Sequence, residues 1–483
     1  MVKIRIFGSE REIGGNKILL EFKDSKLMLD FGLSFNKFKQ YFAEFLQPRV
    51  CNGFLDLVEF GLLPSFSELP IYREDYCKHL GLPYPKEKFL DGLLLSHAHS
   101  DHSALIHFLR EDIPIFCSKE TYLILKAIEE TSQANFTELI NLSLKFHFVR
   151  SKNGYKKLEG SDATIKRNYQ IVEPYKKYSI GNIEFQAFPV DHSLPGALAF
   201  VVYSNEGKIA YTGDLRFHGR RSNLTREFVS RAKNEGIDIL FSEGTRIDEE
   251  TNESEEDVEK KAEEVIRKTD GLVIVNYPLR DLDRMQTFFN VAKKTGRKLV
   301  INTKQAYILK LFEDAGINAY PKLSDVCVYV EKKGWGMISK EYFYNFQGVG
   351  WVKNEKIEKK LLENDYKKWE REFLDLDNTV TAEDLRDKQE EFIFRCDNFE
   401  LQELIDIKPK NGVYIRSKTE PFDDDMVIEE NRVRNWLKHF NLPTHQIHAS
   451  GHANGIEIRE MIKEIRPKKL IPIHTEKPEL FFK

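Results

Sequence analysis

His97-Ala98-His99-Ser100-Asp101-His102 packs four metal-type donors into six residues of the chain. The run before it, Gly92-Leu93-Leu94-Leu95-Ser96, is short and apolar, as suits a buried strand. The run after it, Ala104-Leu105-Ile106-His107-Phe108-Leu109, can begin a helix. The donors therefore fall in a strand-to-helix loop, where several side chains can converge on one point. Imidazole nitrogen and carboxylate oxygen are the donor set of zinc or manganese. One zinc does not need four donors from a single loop, so the spacing predicts two adjacent ions. His97 and His99 serve one of them, Asp101 and His102 the other.

Working outward, further donors stand at the ends of apolar runs. Asp30 follows Lys26-Leu27-Met28-Leu29, and His192 follows Phe188-Pro189-Val190-Asp191 and precedes a turn with Pro195 and Gly196. Asp214 follows Ile209-Ala210-Tyr211 and Gly213. Glu243 closes Ile239-Leu240-Phe241-Ser242, His474 closes Leu470-Ile471-Pro472-Ile473, and Ser450-Gly451-His452-Ala453 lies between them. Taken singly, His192 reads as an ordinary satisfied histidine and Asp214 as a turn former. Taken in this order, the set resembles the β-CASP group of metallo-β-lactamase-fold nucleases, nearest its ribonuclease J branch and the archaeal relatives of that branch. Leu282-Asp283-Arg284-Met285-Gln286 and Val413-Tyr414-Ile415-Arg416-Ser417 resemble the same branch, so the likeness runs over essentially the whole chain.

The resemblance implies an α/β protein: a metallo-β-lactamase αββα sandwich with an inserted β-CASP parallel-sheet domain. The sandwich is expected over 1–245 and 441–483, with an insertion near 33–90, and the β-CASP domain over 246–440. The implied cofactors are two divalent metal ions, Zn2+ or Mn2+. His97, His99 and His192 would hold one, Asp101, His102 and His474 the other, and Asp214 would bridge them. Asp30 would orient a ligand histidine. Asp101 could also orient the attacking hydroxide. His452 is the candidate general acid, or a phosphate binder without a proton-transfer role, and Glu243 would tune a histidine. Ser450, Gly451, His452 and Ala453 would bind a substrate phosphate through backbone N–H groups. The implied activity is a ribonuclease on single-stranded RNA, acting 5′ to 3′ in RNA processing or decay. An endoribonuclease of the RNA 3′-end processing type and a catalytically silent RNA-binding subunit are the alternatives; the intact donor set weighs against the second. DNA as a substrate and a homodimer stay open.

Within the second domain the pattern is a βαβ rhythm. Ser254-Glu255-Glu256-Asp257 reads as a capping box opening a helix through Arg267, Gly271–Asn276 as a buried strand, Met285–Thr295 as a helix and Lys298–Asn302 as a strand. Glu355–Asp375 reads as a helix on the rim. Trp335, Tyr342, Phe343, Tyr344, Phe346 and Trp351 form an aromatic stretch that suits a hydrophobic cap, a dimer contact or base stacking. In the first domain, Phe35–Phe66 is aromatic-rich without clear periodicity and is followed by Pro70, Pro83 and Pro85. It reads as an inserted subdomain or lid, over the substrate channel or simply packed.

The chain has 483 residues, 41% hydrophobic and 31% charged, an ordinary globular composition long enough for more than one core. No apolar run reaches the roughly 18 residues of a membrane span. Five cysteines without a Cys-x-x-Cys pair point to a reducing cytoplasm and away from thiolate ligands. The net charge of −4 gives no support to nucleic acid by itself. Local clusters do: one of Arg216, Arg220 and Arg221, close after Asp214, is expected to meet substrate phosphate. Lys293, Lys294, Arg297 and Lys298 read as a solvated face.

Overall fold

The computed structural model describes residues 2–43, 45–132, 148–157, 165–251, 253–334, 362–420 and 424–482. The chain forms two compact units, Met1–Asn252 with Gly451–Lys483, and Glu253–Ser450.

The first unit opens with β1 (Lys3–Ile6), β2 (Ile18–Glu21), β3 (Lys26–Leu29), β4 (Gly92–Leu94) and β5 (Ile115–Cys117). A hairpin of β6 (Phe148–Ser151) and β7 (Gly154–Lys157) stands apart from the large sheets. Then come β8 (Tyr169–Ile171), β9 (Lys177–Ile180), β10 (Ile183–Pro189), β11 (Leu198–Ser204), β12 (Gly207–Tyr211) and β13 (Ile239–Ser242). One six-stranded sheet runs β1-β2-β3-β4-β5-β8. In the other, β13, β12, β11, β10 and β9 continue outward from the late strand Lys469–Pro472. The two sheets close on one core, with Leu20, Leu27, Leu29, Leu94 and Phe116 from the first meeting Phe185, Phe200, Val202, Tyr211 and Phe241 from the second. The opposite face of the second sheet is covered by the helices Ser222–Glu235 and Gly455–Ile465 through Phe228, Val229, Ile458, Met461 and Ile465. β11 is apolar and buried along most of its length because both of its faces are covered. This is the αββα sandwich.

The catalytic-type residues stand where strands of this sandwich end. The strand expected before His97 is β4, but the helix after it starts earlier than the apolar run suggested. His99 occupies the N-cap of Ser100–Ser103, and Ile106–Phe108 continues as a 3-10 turn. Asp101 and His102 therefore sit in the first turn of a helix rather than in an open loop, held by His99 carbonyl bonds to the N–H groups of His102 (3.0 Å) and Ser103 (2.9 Å).

Residues 33–90 hold the helices Phe35–Tyr41, Leu55–Glu59 and Glu74–Leu80 and the 3-10 turn Val50–Asn52. They are stitched beside the histidine loop: the Arg73 N–H donates to Phe108 O (3.0 Å), and the Arg110 N–H donates to Ile71 O (2.9 Å). Phe54 stacks on Tyr72 at 4.1 Å and meets Phe108 edge-on at 6.4 Å. The segment has a small core of its own, which short helices supply without a long period for sequence to show.

The second unit contains β14 (Val273–Asn276), β15 (Lys298–Asn302), β16 (Cys327–Tyr329), β17 (Thr379–Val380), β18 (Phe392–Arg395), β19 (Val413–Arg416) and β20 (Thr444–Gln446). They form one parallel sheet in the order β17-β16-β15-β18-β14-β19-β20. The strand Lys469–Pro472, β21, completes the list and returns to the first unit. The helices Glu255–Ile266, with the Ser254–Asp257 capping box, and Leu282–Thr295 follow the expected βαβ rhythm. The aromatic stretch from Trp335 to Trp351 and the first part of the expected 355–375 helix lie outside the described residues.

The unit boundaries differ from the expected 245/246 and 440/441. Arg246 bridges to Asn454 and Ile247 is buried in the first unit's core, so that unit runs on past 245. At the other side, residues 441–450 stay with the second unit because Tyr414, Ile415 and Arg416 of β19 pair with Thr444, His445 and Gln446. A three-residue exposed strand carries no apolar signal by which sequence could assign it.

The metal-type loop rests on Gly32. A Cβ there would lie 1.7 Å from the Asp101 carbonyl oxygen and 2.4 Å from the His102 nitrogen. Gly32→Ala should therefore cost about 3 kcal/mol, the upper end of overpacking penalties, read as a lower urea midpoint. An unchanged midpoint would show that the loop yields.

Candidate metal centre

Seven donors converge in the first unit as two overlapping groups: His97, His99, His192 and Asp214, and Asp101, His102, Asp214 and His474. Within each group the donor atoms lie within 4.8 Å of one another. Their focus is Asp214 Oδ2. It lies 3.1 Å from His102 Nε2, 3.6 Å from His97 Nε2, 3.8 Å from His474 Nε2, 3.9 Å from His192 Nε2 and 3.9 Å from His452 Nδ1. Asp214 Oδ1 is buried and has no hydrogen-bond partner among the described residues.

Buried hydrogen bonds set which nitrogen of each ring faces inward. Ser96 Oγ gives its proton to Asp30 Oδ2 (2.7 Å), so it accepts from His97 Nδ1 at 3.0 Å. The Gly451 carbonyl can only accept, so His192 Nδ1–H donates to it at 2.6 Å. His102 Nδ1–H donates to Asp30 Oδ2 at 2.7 Å. In His97 and His192 Nε2 is left with its lone pair turned to the centre, while His102 Nε2 faces Asp214 Oδ2. His97 Nε2 and His192 Nε2 then approach His99 Nδ1 at 2.9 and 3.0 Å, where at most one proton can lie between each pair. In the other group His474 Nε2 lies 3.0 Å from Asp101 Oδ2, and His474 Nδ1 pairs with Thr245 Oγ1 at 2.9 Å.

The electrostatics run the same way. Burial, with the nearby His102 charge, pushes His97 well below the usual histidine range, and burial brings His99 down to about 4 and His192 well below its ordinary value. These three are neutral donors at pH 7. Burial opposes ionisation of Asp101 and Asp214, yet His102 and His474 hold both carboxyls well below the ordinary range. His102 is driven well above its ordinary value, against its own burial, by Asp214, Asp101 and Asp30. The centre thus pairs neutral imidazole lone pairs with buried carboxylates and pulls strongly for positive charge. That is the chemistry a divalent cation fits.

Asp30 stands where the sequence placed a residue that orients a ligand. Its backbone is left-handed at φ 53°. Its carboxylate accepts from the Ser96 N–H (2.6 Å), Ser96 Oγ, His102 Nδ1 and the Tyr211 hydroxyl. Glu243 accepts from the N–H groups of Leu215 (3.3 Å) and Thr245 (3.0 Å) and lies 3.3 Å from His452 Nδ1. His452 is raised above its ordinary value: burial opposes this, and Glu243, Asp214 and Asp101 overcome it.

One expectation fails and a second narrows to Arg220 and Arg221. Ala453 cannot offer its N–H to a phosphate, because it donates to the Leu215 carbonyl at 2.8 Å and the residue is wholly buried. Arg216 cannot reach a substrate, because its side chain is fully buried and its Nε donates to Asp191 Oδ1 at 3.1 Å beside His192. A basic residue near a donor looks alike whether it serves substrate or scaffold. A Cβ on Gly451 would lie 2.9 Å from Ser193 Oγ and 3.3 Å from His192 Cε1, so a larger residue there would push on the side chains beside His192. Ser450 is the last residue of the second unit. Sequence reasoning missed Ser96, Tyr211 and Thr245. The faint signals were Ser directly before His97 and Thr two places after Glu243.

Known domain families cover both parts of this centre. The beta-lactamase superfamily domain matches residues 77–271, and the Zn-dependent metallo-hydrolase RNA specificity domain matches residues 439–480. The chain is similar in both parts to the β-CASP group of metallo-β-lactamase-fold nucleases. The chain is 24% identical over 491 residues to ribonuclease J 2 of Streptococcus pyogenes, which covers 99% of the chain and 70% of that relative. It is 26% identical over 307 residues to ribonuclease J of Mycobacterium tuberculosis, covering 62% of the chain and 44% of the relative. It is 23% identical over 487 residues to ribonuclease J of Thermus thermophilus, covering 98% and 68%. A solved structure of a protein of unknown function from Enterococcus faecalis shares the fold at a TM-score of 0.68 and 20% identity, over 99% of this chain and 95% of that one.

Metal uptake should report the charge state of this centre. Loading the Asp101, His102 and His474 group should expel the proton held by His102, whereas the neutral His97, His99 and His192 group should fill without release. Titration calorimetry in buffers of different ionisation enthalpy would measure this. Uptake of two ions with no proton release would overturn the assignment.

Proposed function

We propose that this protein is a two-metal, zinc-type ribonuclease that degrades single-stranded RNA from the 5′ end. The carrying observation is that two four-donor groups share Asp214 beside a histidine backed by a buried glutamate. The names of the relatives and the RNA specificity domain support RNA as the substrate. His97, His99, His192 and Asp214 would hold one ion, and Asp101, His102, His474 and Asp214 the other, with zinc favoured by the donors and manganese also suited. When bound, such a pair polarises a phosphodiester and supplies a nucleophile at neutral pH.

The protein's own groups do the rest. Asp101 Oδ2, fixed by His474, can accept a hydrogen bond from an attacking water and orient it. Glu243 favours the protonated form of His452, from which the ring can give a proton to the departing ribose oxygen. Asp30 and Ser96 hold the rings of His97 and His102 so that no reorganisation is needed as charge develops. Gly451 and His452, with Ser450 before them, are the candidate contacts for a terminal phosphate. Five free cysteines, four of them buried, support a reducing compartment such as the cytoplasm. Among the described residues no helix is long and apolar enough to cross a membrane.

Asp101→Ala and His102→Ala should each abolish cleavage while leaving the far-UV circular dichroism spectrum unchanged, because each takes a donor from one group. Turnover within a few-fold of wild type would show the centre is not the reactive site.

Direction is tested with ends. A 5′-monophosphate RNA should release mononucleotides, a 5′-triphosphate should be slower, and a circle should resist. Rapid internal cutting of the circle would favour an endonuclease. His452→Ala should lower kcat about a hundredfold with KM nearly unchanged. A change confined to KM would make it a phosphate binder.

A further inference from the structure

Thirteen large hydrophobic residues are exposed among the described residues, and six of them fall between Phe35 and Phe60. Two of these exposed rings are held by neighbours. Tyr41 and Phe60 stack at 4.1 Å with an interplanar angle of 14°, and Phe60 is met edge-on by buried Phe42 at 5.6 Å, which in turn packs on buried Phe38 at 5.0 Å. Tyr41 stays 43% exposed, Phe60 37%, and Phe45 nearby in sequence 92%. Buried Phe38 and Phe42 thus hold the Tyr41 and Phe60 rings with part of their surface in solvent.

The charge and the position of this face select its occupant. The helix Phe35–Tyr41 carries Lys37 and Lys39 and no acid, in a chain whose net charge is −4. It grows directly from the reactive loop. The Phe31 N–H donates to His102 O at 2.8 Å, the Leu33 N–H donates to Ser100 O at 3.1 Å, and Ser34 caps the helix while its hydroxyl donates to Glu12 at 2.6 Å. Seven helical residues span about 10 Å, so the rings stand within a short run of extended polynucleotide from Asp101. Rigid rings with cations beside them, close to a phosphodiester site, match the way single-stranded nucleic acid is gripped without sequence preference.

We propose that Tyr41, Phe45 and Phe60 form a stacking platform for bases of single-stranded RNA that lie outside the metal centre, with Lys37 and Lys39 meeting the phosphates. The platform rests on the ribonuclease reading and extends it: it gives the enzyme grip on the strand beyond the nucleotide being cut.

The test couples rings to bases. Metal-loaded protein is titrated with a phosphorothioate single-stranded RNA in which one abasic position is walked along the strand. Wild type should lose about tenfold in affinity at one or two positions, the size of one base–aromatic stack. Tyr41→Ala/Phe45→Ala should lose about tenfold on the intact strand and nothing further at those positions. Phe45→Ala alone, at a side chain with almost no packing, guards against misfolding and should show part of the same loss. Equal affinity of the variants and wild type overturns the platform, as do losses that simply add. Sedimentation in which the double variant turns a dimer into monomers overturns it in favour of a contact between copies. Wild type that cleaves no RNA sinks the ribonuclease reading; wild type that cleaves RNA but shows no coupling sinks the platform alone.

Discussion

One buried carboxylate oxygen, Asp214 Oδ2, organises the first unit's reactive end. Moving a carboxylate out of water costs several kcal/mol unless opposite charge or hydrogen-bond donors replace it. Here the replacements come from separate parts of the chain: the loop after β4, the end of β10, the segment after the second unit and the end of β21. Each arm is braced in turn. Asp30 and Ser96 set the rings of His97 and His102, and the Asp191–Arg216 ion pair backs the loop that carries His192. The carboxylate acts as a meeting point whose need for positive charge is met only when all these arms arrive together.

The second unit settles its buried charge differently. Arg284 is fully buried, and its guanidinium is met by Glu255 (2.8 and 3.1 Å), Ser417 (2.6 Å to Oγ) and the Ala449 carbonyl (2.9 Å). This arginine is saturated with partners and serves the scaffold, whereas the Asp214 group is short of positive charge. The contrast separates a structural network from a reactive one more sharply than burial does, since both are inaccessible to solvent.

How much could be read from the chain follows from the kind of signal each residue leaves. His97, His99, Asp101, His102, His192, Asp214 and His474 were legible because donors at strand ends in a fixed order are rare by chance. The parallel sheet was legible because β14 and β15 are apolar runs separated by a capped helix. The residues that set ring orientation, Ser96, Tyr211 and Thr245, were not, because a hydroxyl that aims an imidazole looks in sequence like any other hydroxyl. Arg216 misled for the same reason. The sign of its charge is visible, but its partner Asp191 lies a strand away. The segment 441–450 was assigned to the wrong unit because its strand pairs through backbone atoms alone and its side chains face water. The helices at 33–90 escaped because each is too short for a hydrophobic period to repeat.

The pairing of β13 with β21 carries a consequence for manufacture. Ile239–Ser242 and Lys469–Pro472 are adjacent and parallel, yet the entire second unit is spelled out between them. On a ribosome, the second sheet of the sandwich must wait with the β13 edge uncovered while the intervening unit is translated, and contacts so distant along the chain form slowly. Glu243 and His474 end these two neighbouring strands, so the reactive end cannot assemble before that last strand arrives. A nascent chain therefore lacks the complete donor set until Lys469–His474 has been made, well after the loop that carries His97.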